Sequence, residues 1–162
     1  MRFVYGLVIC LLTLGLLSPS SLQAQEKPVQ LSLLAPIQIF PEEAAIKGFR
    51  LNLLYGRNVS VKGIDLGLIN HTTTGVTKGW QLGLVGVVDA DFEGFQENYV
   101  NITKGHFRGF QWGFYNQARD MHGFQLGLIN YAQTGYGLQI GLINIIKQKK
   151  GHPVLPIVNW TF

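Results

Sequence analysis

Cysteine is almost missing from this chain of 162 residues: the single one, Cys10, lies in an N-terminal stretch that reads as an export leader. Arg2 supplies the short basic start, Phe3 to Leu17 carry no charge, and Ser18-Pro19-Ser20-Ser21-Leu22-Gln23-Ala24 has the small, helix-breaking character of a cleavage region. The expected cut follows Ala24, making residues 1–24 a signal peptide and 25–162 the mature domain. The apolar stretch is shorter than the roughly 20 residues a membrane-spanning helix needs. Ile9 is too bulky for the position before a lipid-modified cysteine, so Cys10 is not read as an anchor. The mature chain then holds no cysteine, which excludes disulfides, thiolate nucleophiles and thiolate metal ligands.

Charge and serine are scarce too. Without Arg2 there are 12 lysines and arginines against 9 acids, a net charge of +3 spread along the chain, which argues against a nucleic-acid partner. Beyond the leader only Ser32 and Ser60 remain, and neither lies in a Gly-x-Ser-x-Gly elbow.

What the chain has is glycine at a fixed interval. Seven eight-residue blocks start at Gly48, Gly63, Gly79, Gly94, Gly109, Gly123 and Gly137, at spacings of 15, 16, 15, 15, 14 and 14 residues. The block Gly123-Phe-Gln-Leu-Gly-Leu-Ile-Asn130 shows the pattern. Large apolar residues alternate with Gln or Gly, a period of two that predicts a strand; a helix would scatter these residues around its circumference. Between blocks lie polar turns such as Thr72-Thr73-Thr74-Gly75 and Gln133-Thr134-Gly135. Val61, Phe92, Phe107 and Met121 each stand two residues before a block glycine. An opening strand is predicted over 29–35, the repeats proper over 48–144, and a degenerate terminal repeat, with two prolines, over 151–162.

The fold class is therefore all-β, and two architectures fit. The favoured one is an antiparallel meander closed as a small outer-membrane-type barrel, with Phe49, Trp80, Phe95, Phe110 and Phe124 near its rims, Gly and Gln in a narrow lumen, and Lys47, Lys62, Lys78 and Arg108 snorkelling. Val154, Pro156, Val158, Trp160 and Phe162 alternate to a final aromatic, which resembles the terminal assembly signal of outer-membrane barrels. The alternative is a parallel β-solenoid, one rung per repeat, with Phe/Leu/Leu as its core and Asn70, Asn101, Asn116, Asn130 and Asn144 aligned at a corner.

The iterated block, seen in Gly137-Leu-Gln-Ile-Gly-Leu-Ile-Asn144, together with Leu155-Pro156-Ile157-Val158-Asn159-Trp160-Thr161-Phe162, resembles a family of bacterial surface-repeat-containing proteins, over Gly48 to Phe162. The resemblance implies an exported, surface-exposed protein of undefined biochemical role. Gly94 to Asn101 departs from the pattern, with Glu97 and Asn98 where Leu and Gly are usual.

No residue set announces catalysis, a cofactor or a metal. His71, His106, His122 and His152 lie in or beside turns without a zinc-motif spacing, and an enzyme reading would need one of them to reach both a carboxylate and a hydroxyl. Asp89, Asp91 and Glu93 form one acidic turn that lacks the remaining ligands of a calcium loop. Arg50 and Asp65 take the Gln position of successive blocks and are expected to pair structurally if both point inward. Lys147, Lys149 and Lys150 read as a solvated basic loop, and the glycosylation patterns at Asn58, Asn70, Asn101 and Asn159 arise from repeat-ending Asn followed by turn residues. The expected function is a non-enzymatic structural or interaction protein of the outer membrane or cell surface, in contact with outer-membrane lipid. The alternative is a peripheral solenoid that binds a partner or polysaccharide along a Gln/Gly face, and a lipid-modifying barrel enzyme ranks last.

Overall fold

The computed structural model describes residues 25–162, so the leader and Cys10 lie outside the described residues. Nine strands form one sheet: β1 (Glu26–Leu34), β2 (Ile37–Gln38), β3 (Ala45–Asn58), β4 (Ser60–Thr72), β5 (Thr77–Val88), β6 (Phe92–Trp112), β7 (Tyr115–Leu126), β8 (Ile129–Ile146) and β9 (Val154–Thr161). Their spatial order is β2-β1-β3-β4-β5-β6-β7-β8-β9, and every neighbouring pair from β1 to β8 is parallel. A meander barrel would have made them antiparallel. The chain is a β-solenoid, and the barrel expectation is overturned by strand polarity.

Each repeat is one rung, stacked on the last with block glycine on block glycine: Gly48 on Gly63, Gly63 on Gly79, Gly79 on Gly94 and Gly109 on Gly123. Changes of period are absorbed at corners. Thr103 pairs with Ala118, fifteen residues on, and His106 with Asp120, fourteen on, so the block that follows stays in register.

The block glycines explain why the repeat begins where it does. Gly63, Gly79, Gly94, Gly109 and Gly123 have φ between 124° and 139°, a region closed to other residues. A Cβ at Gly109 would also run into the carbonyl oxygen of Gly94 in the rung below. Only glycine lets the corner turn and the rungs stack at strand spacing.

The interior reverses the solenoid expectation. Gln81, Gln96, Gln111, Gln125 and Gln139 are fully buried, as are Asn70, Asn101, Asn116, Asn130 and Asn144. The Phe/Leu/Leu positions point outward instead, the side assignment of the barrel reading. The rung is a flattened loop: Gln111 Nε2 reaches the Gln117 carbonyl at 3.3 Å and Gln139 Nε2 the Ile145 carbonyl at 3.1 Å, joining opposite walls of one rung. At the narrow end two consecutive residues face out, as at Leu128-Ile129, and the chain doubles back so that Asn130 lies inside. The apolar core sits at the other end. Phe92 and Phe107 stack at 6.0 Å and pack with Met121, Val88, Ala118 and Ala132, while Ala44, Ile46 and Val61 form a second cluster near the first rungs.

Buried amides are tolerable because each finds a partner one rung away. Gln139 donates to Gln125 at 2.7 Å, Gln125 to Gln111 at 2.6 Å, Gln111 to Gln96 at 2.7 Å and Gln96 to Gln81 at 2.9 Å. The Asn row runs the other way: Asn101 donates to Asn116, Asn116 to Asn130 and Asn130 to Asn144, at 2.7–2.8 Å. In each case the same Nδ2 also meets a backbone carbonyl of the next rung, such as Leu126 for Asn116 and Ile140 for Asn130. Satisfied amides cost little to bury, and hydrogen bonds in series polarise one another.

Both ends of the stack are covered. The opening strand lays one wall of a rung on β3: Val29 pairs with Phe49, Gln30 with Arg50 and Ser32 with Asn52, so Pro28 stands where a block glycine would be, and β2 then doubles back antiparallel on β1. Gln30 is fully buried and exchanges two hydrogen bonds with the backbone of Phe40. At the far end, the segment read as a degenerate repeat does not continue the spiral. β9 pairs antiparallel with β8, Gln139 opposite Asn159, and carries Pro156 on the exposed edge, where it discourages further strand addition.

Candidate functional site

The outward residues form continuous rows along the stack. After each block glycine come a row with Ile64, Trp80, Phe95, Phe110 and Phe124, a row with Leu66, Leu82, Glu97, Trp112 and Leu126, and a row with Leu68, Leu84, Tyr99, Phe114 and Leu128. Around the narrow end Ile69, Val85, Val100, Tyr115 and Ile129 continue the apolar surface. Large side chains here remain open to solvent: Phe95 is 60 % exposed, Phe114 57 % and Leu142 68 %. They also stack on one another, Phe110 on Phe124 at 5.3 Å and Tyr99 on Phe114 at 5.0 Å.

Seven intervals of about 4.8 Å make these rows roughly 34 Å long, and four residues of rise make them roughly 13 Å deep, or about 450 Å² in projection. Soluble surfaces rarely leave a contiguous apolar patch above a few hundred Å² uncovered. Lys47, Lys62, Lys78, Glu93 and Arg108 border the patch, just before the glycines. Lys47 and Lys62 share Glu26 at 3.5 and 3.7 Å, and Lys78 meets Glu93 at 2.7 Å.

Within the patch lies a groove of about 710 Å³. Leu82, Glu97, Trp112, Leu126 and Ile140 line one side, Tyr99, Phe114 and Leu128 the other, and Gly83, Gly113, Gly127 and Gly141 the floor. The floor is low because these glycines press against the Asn row: a Cβ at Gly127 would strike the Gly113 carbonyl and crowd Asn116 Nδ2.

Most residues singled out from sequence serve the scaffold. Arg50 and Asp65 do meet inside, in a bidentate pair with both contacts at 2.7 Å. Arg50 also donates to the His71 carbonyl at 3.0 Å, and Asp65 accepts from Gln81 at 2.9 Å. Asn58, Asn70, Asn101 and Asn159 are fully buried, out of reach of any modifying enzyme. Ser32 donates to the Tyr55 carbonyl at 3.0 Å, and Ser60 is buried. The acidic turn disperses: Asp89 meets His71 and Lys104, Asp91 accepts from the His106 backbone N–H, and Glu93 pairs with Lys78. Lys149 leaves the basic loop to donate to Asn159 at 2.8 Å, with its ammonium 4.9 Å from the Trp160 ring centroid. No group of three metal-binding side chains converges among the described residues.

One histidine reaches both a hydroxyl and a carboxylate. His71 Nδ1 lies 2.9 Å from the Tyr55 hydroxyl and Nε2 2.8 Å from Asp89 Oδ2, while Lys104 holds the other Asp89 oxygen at 2.7 Å. Burial would raise the Asp89 carboxyl, but the hydrogen bonds from Lys104 and His71 outweigh it and hold it below its ordinary value. Burial pushes the Tyr55 phenol up, so it keeps its proton at neutral pH and is a poor nucleophile. His106 and His122 share Asp120 at 2.8 and 3.2 Å, and Thr134 donates to the same carboxylate. His152 is exposed in the last turn.

The barrel reading placed the apolar rows outward against lipid, and the solenoid reading buried them; a solenoid with these rows outside was in neither. Its signal was in the blocks all along: an apolar or aromatic pair before each block Asn, such as Leu68-Ile69, Tyr99-Val100 or Phe114-Tyr115, breaks the alternation and puts two large residues on the same side. Comparison with known proteins adds no relative: no family model, no curated protein and no solved structure matches this chain.

Proposed function

We propose that this protein is an exported, non-enzymatic β-solenoid that lies on a lipid surface, with its apolar flank immersed in one leaflet and its polar corners facing water. One observation carries the reading: an outward apolar row runs from Leu33 and Leu53 through Leu68, Leu84, Tyr99, Phe114 and Leu128 to Leu142, flanked by two further rows, while the amides lie inside. The depth of the flank, roughly 13 Å, is about half of the ~30 Å hydrocarbon core, which suits immersion in a single leaflet rather than crossing. The lysines bordering the flank sit at the height of the headgroups, where they favour anionic lipid. The export expected from the leader fits this reading. The alternative docking face, Gln with Gly, is interior and is withdrawn.

Membrane fractionation of cells producing the full chain tests the proposal. Retention after high salt with release by detergent is the expected result, and replacing Leu84, Phe114 and Leu128 together by Ser should shift the folded protein to the soluble fraction. Recovery of the unaltered chain in the soluble fraction at low salt rejects the reading.

A further inference from the structure

We infer that the groove beside Glu97 binds a single-chain amphiphile whose head is an organic ammonium ion without phosphate. The inference deepens the lipid-surface reading, since the groove lies in the same apolar flank. It concerns a discrete site in that flank.

The three outward rows are apolar at every rung except one. Among the described residues Glu97 is the only charged side chain in them, standing where the other rungs carry Leu31, Leu51, Leu66, Leu82, Trp112, Leu126 or Ile140. Leucine there would be better for packing and for immersion in lipid, so the carboxylate needs a reason. Glu97 is half-buried, one of its oxygens accepts from Trp80 Nε1 at 3.1 Å, and it forms no ion pair with any described lysine or arginine.

Its surroundings are aromatic. Phe95 and Tyr99 flank it along the strand, and Trp80 pairs with Phe95 in the preceding rung as Leu82 pairs with Glu97. Phe95 packs on Phe110 at 6.0 Å and Tyr99 on Phe114 at 5.0 Å, which brings Phe110, Trp112 and Phe114 alongside in the next rung. Six aromatic residues thus occupy the positions around Glu97: Trp80 contacts its carboxylate, and Tyr99, Trp112 and Phe114 line the groove with it. Aromatic faces attract a cation and tolerate its alkyl substituents, and the carboxylate supplies the full countercharge in a partly dry setting. An anion would be repelled, and a neutral head would leave the carboxylate with no countercharge and only the Trp80 N–H as a partner. No lysine or arginine stands in these rows to receive a phosphate.

The groove supplies the rest. From Glu97 the floor of Gly113, Gly127 and Gly141 runs past three further rungs to Ile140, about 14 Å at the usual strand spacing. That is room for an extended decyl chain between Trp112, Leu126 and Ile140 on one side and Phe114 and Leu128 on the other. The head sits at Glu97 and the tail along the glycines.

Titration of the full chain with decyltrimethylammonium below its micelle concentration, followed by calorimetry and tryptophan fluorescence, tests this. Saturable one-site binding is expected, with decyl maltoside, decylphosphocholine and tetramethylammonium each at least tenfold weaker. Glu97→Gln and Glu97→Leu should each weaken decyltrimethylammonium at least tenfold, and Glu97→Leu, which restores the repeat, keeps the fold testable. Equal affinity for the neutral or the phosphate-bearing head overturns the assignment, as does unchanged binding in Glu97→Leu or no saturable binding at all. The wider reading fails separately: Glu97→Leu should still fractionate with membranes, and loss of membrane retention with intact ammonium binding would reject lipid docking alone.

Discussion

Gln81 donates its side-chain amide to the Asp65 carboxylate at 2.9 Å, and that contact sets the polarity of the whole glutamine ladder. A carboxylate can only accept, so Gln81 must turn its oxygen toward Gln96, and each later glutamine follows suit. Arg50 closes the line from the other side with its two contacts to Asp65. An ion pair so deeply buried is costly to break and not costly to replace, because removing one partner strands the other charge. Asp65→Gln or Arg50→Gln alone should therefore lose about 3–5 kcal/mol. Arg50→Gln with Asp65→Gln together continues the ladder from Gln81 toward Gln30 and should recover most of that loss. Urea unfolding of the three variants decides: a double variant as unstable as the sum of the singles rules out a replaceable ladder segment.

The ladder also shows what could be read from the residues and what could not. Strand period, repeat length and the corner role of the block glycines are local properties, visible in one block. Which face lies inside is not local. Glutamine suits the lumen of a barrel or the outer face of a solenoid; it becomes a good interior residue of a solenoid only when an identical one lies 14 or 15 residues away in register. The true core was marked by Val61, Phe92, Phe107 and Met121, two residues before four of the block glycines and on the Gln side of the alternation, but they were read only as lengthening the strands. The opening strand expected over 29–35 forms as β1 (Glu26–Leu34); that it stacks on the first block was not visible, because Pro28 and Ala35 stand where a glycine and an asparagine would be. The groove was half legible, since Glu97 stood out as a departure whose aromatic neighbours come from adjacent rungs.

Gly109 and Gly151 separate two reasons for glycine. Both have positive φ, 133° and 91°, but a Cβ at Gly109 meets the Gly94 carbonyl and one at Gly151 meets nothing within 4 Å. Gly151→Ala should cost only the backbone term, on the order of 1 kcal/mol. Gly109→Ala must in addition push two rungs apart, and we expect it to lose at least about 2 kcal/mol more, in the range of severe backbone substitutions. Equal midpoints in thermal unfolding would contradict the stacking argument.

Acid should loosen the polar corners. Burial on its own would raise the Asp120 carboxyl, but hydrogen bonds from His106 and Thr134, with the charge and hydrogen bond of His122, hold it below the ordinary aspartate range, as Lys104 and His71 do for Asp89. A carboxyl whose pKa is depressed by folding adds stability above its unfolded value of about 3.9 and loses it as pH falls through the folded value. Asp120→Asn should therefore lower the melting temperature at pH 7, and its difference from the unaltered chain should shrink between about pH 4 and pH 2. A constant difference across that range would show that Asp120 contributes through shape alone.

The last expectation concerns two departures from the repeat that answer each other. The block starting at Gly79 ends in Gly86 where asparagine is usual, and the next block has Asn98 where glycine is usual. A Cβ at Gly86 would strike Gln81 Oε1 and Asn98 Nδ2, so the Asn98 side chain fills the space that Gly86 leaves. From there Asn98 donates to Asn101 Oδ1 at 2.7 Å, the role of the missing asparagine. Asn52 and Gly56 repeat the exchange within one rung, for a Cβ at Gly56 would overlap the Asn52 amide. Asn98→Gly alone should lose about 1–3 kcal/mol by leaving buried Asn101 and Gln81 oxygens short of a donor. Gly86→Asn alone should lose at least as much by forcing two amides into one space. Together they rebuild the usual rung, and the double variant should be more stable than either single one, with a favourable coupling of about 0.5–3 kcal/mol in chemical unfolding. Strict additivity would mean that the two departures are unrelated, and that the interior tolerates loss of the Asn98 bond to Asn101 without the asparagine at position 86.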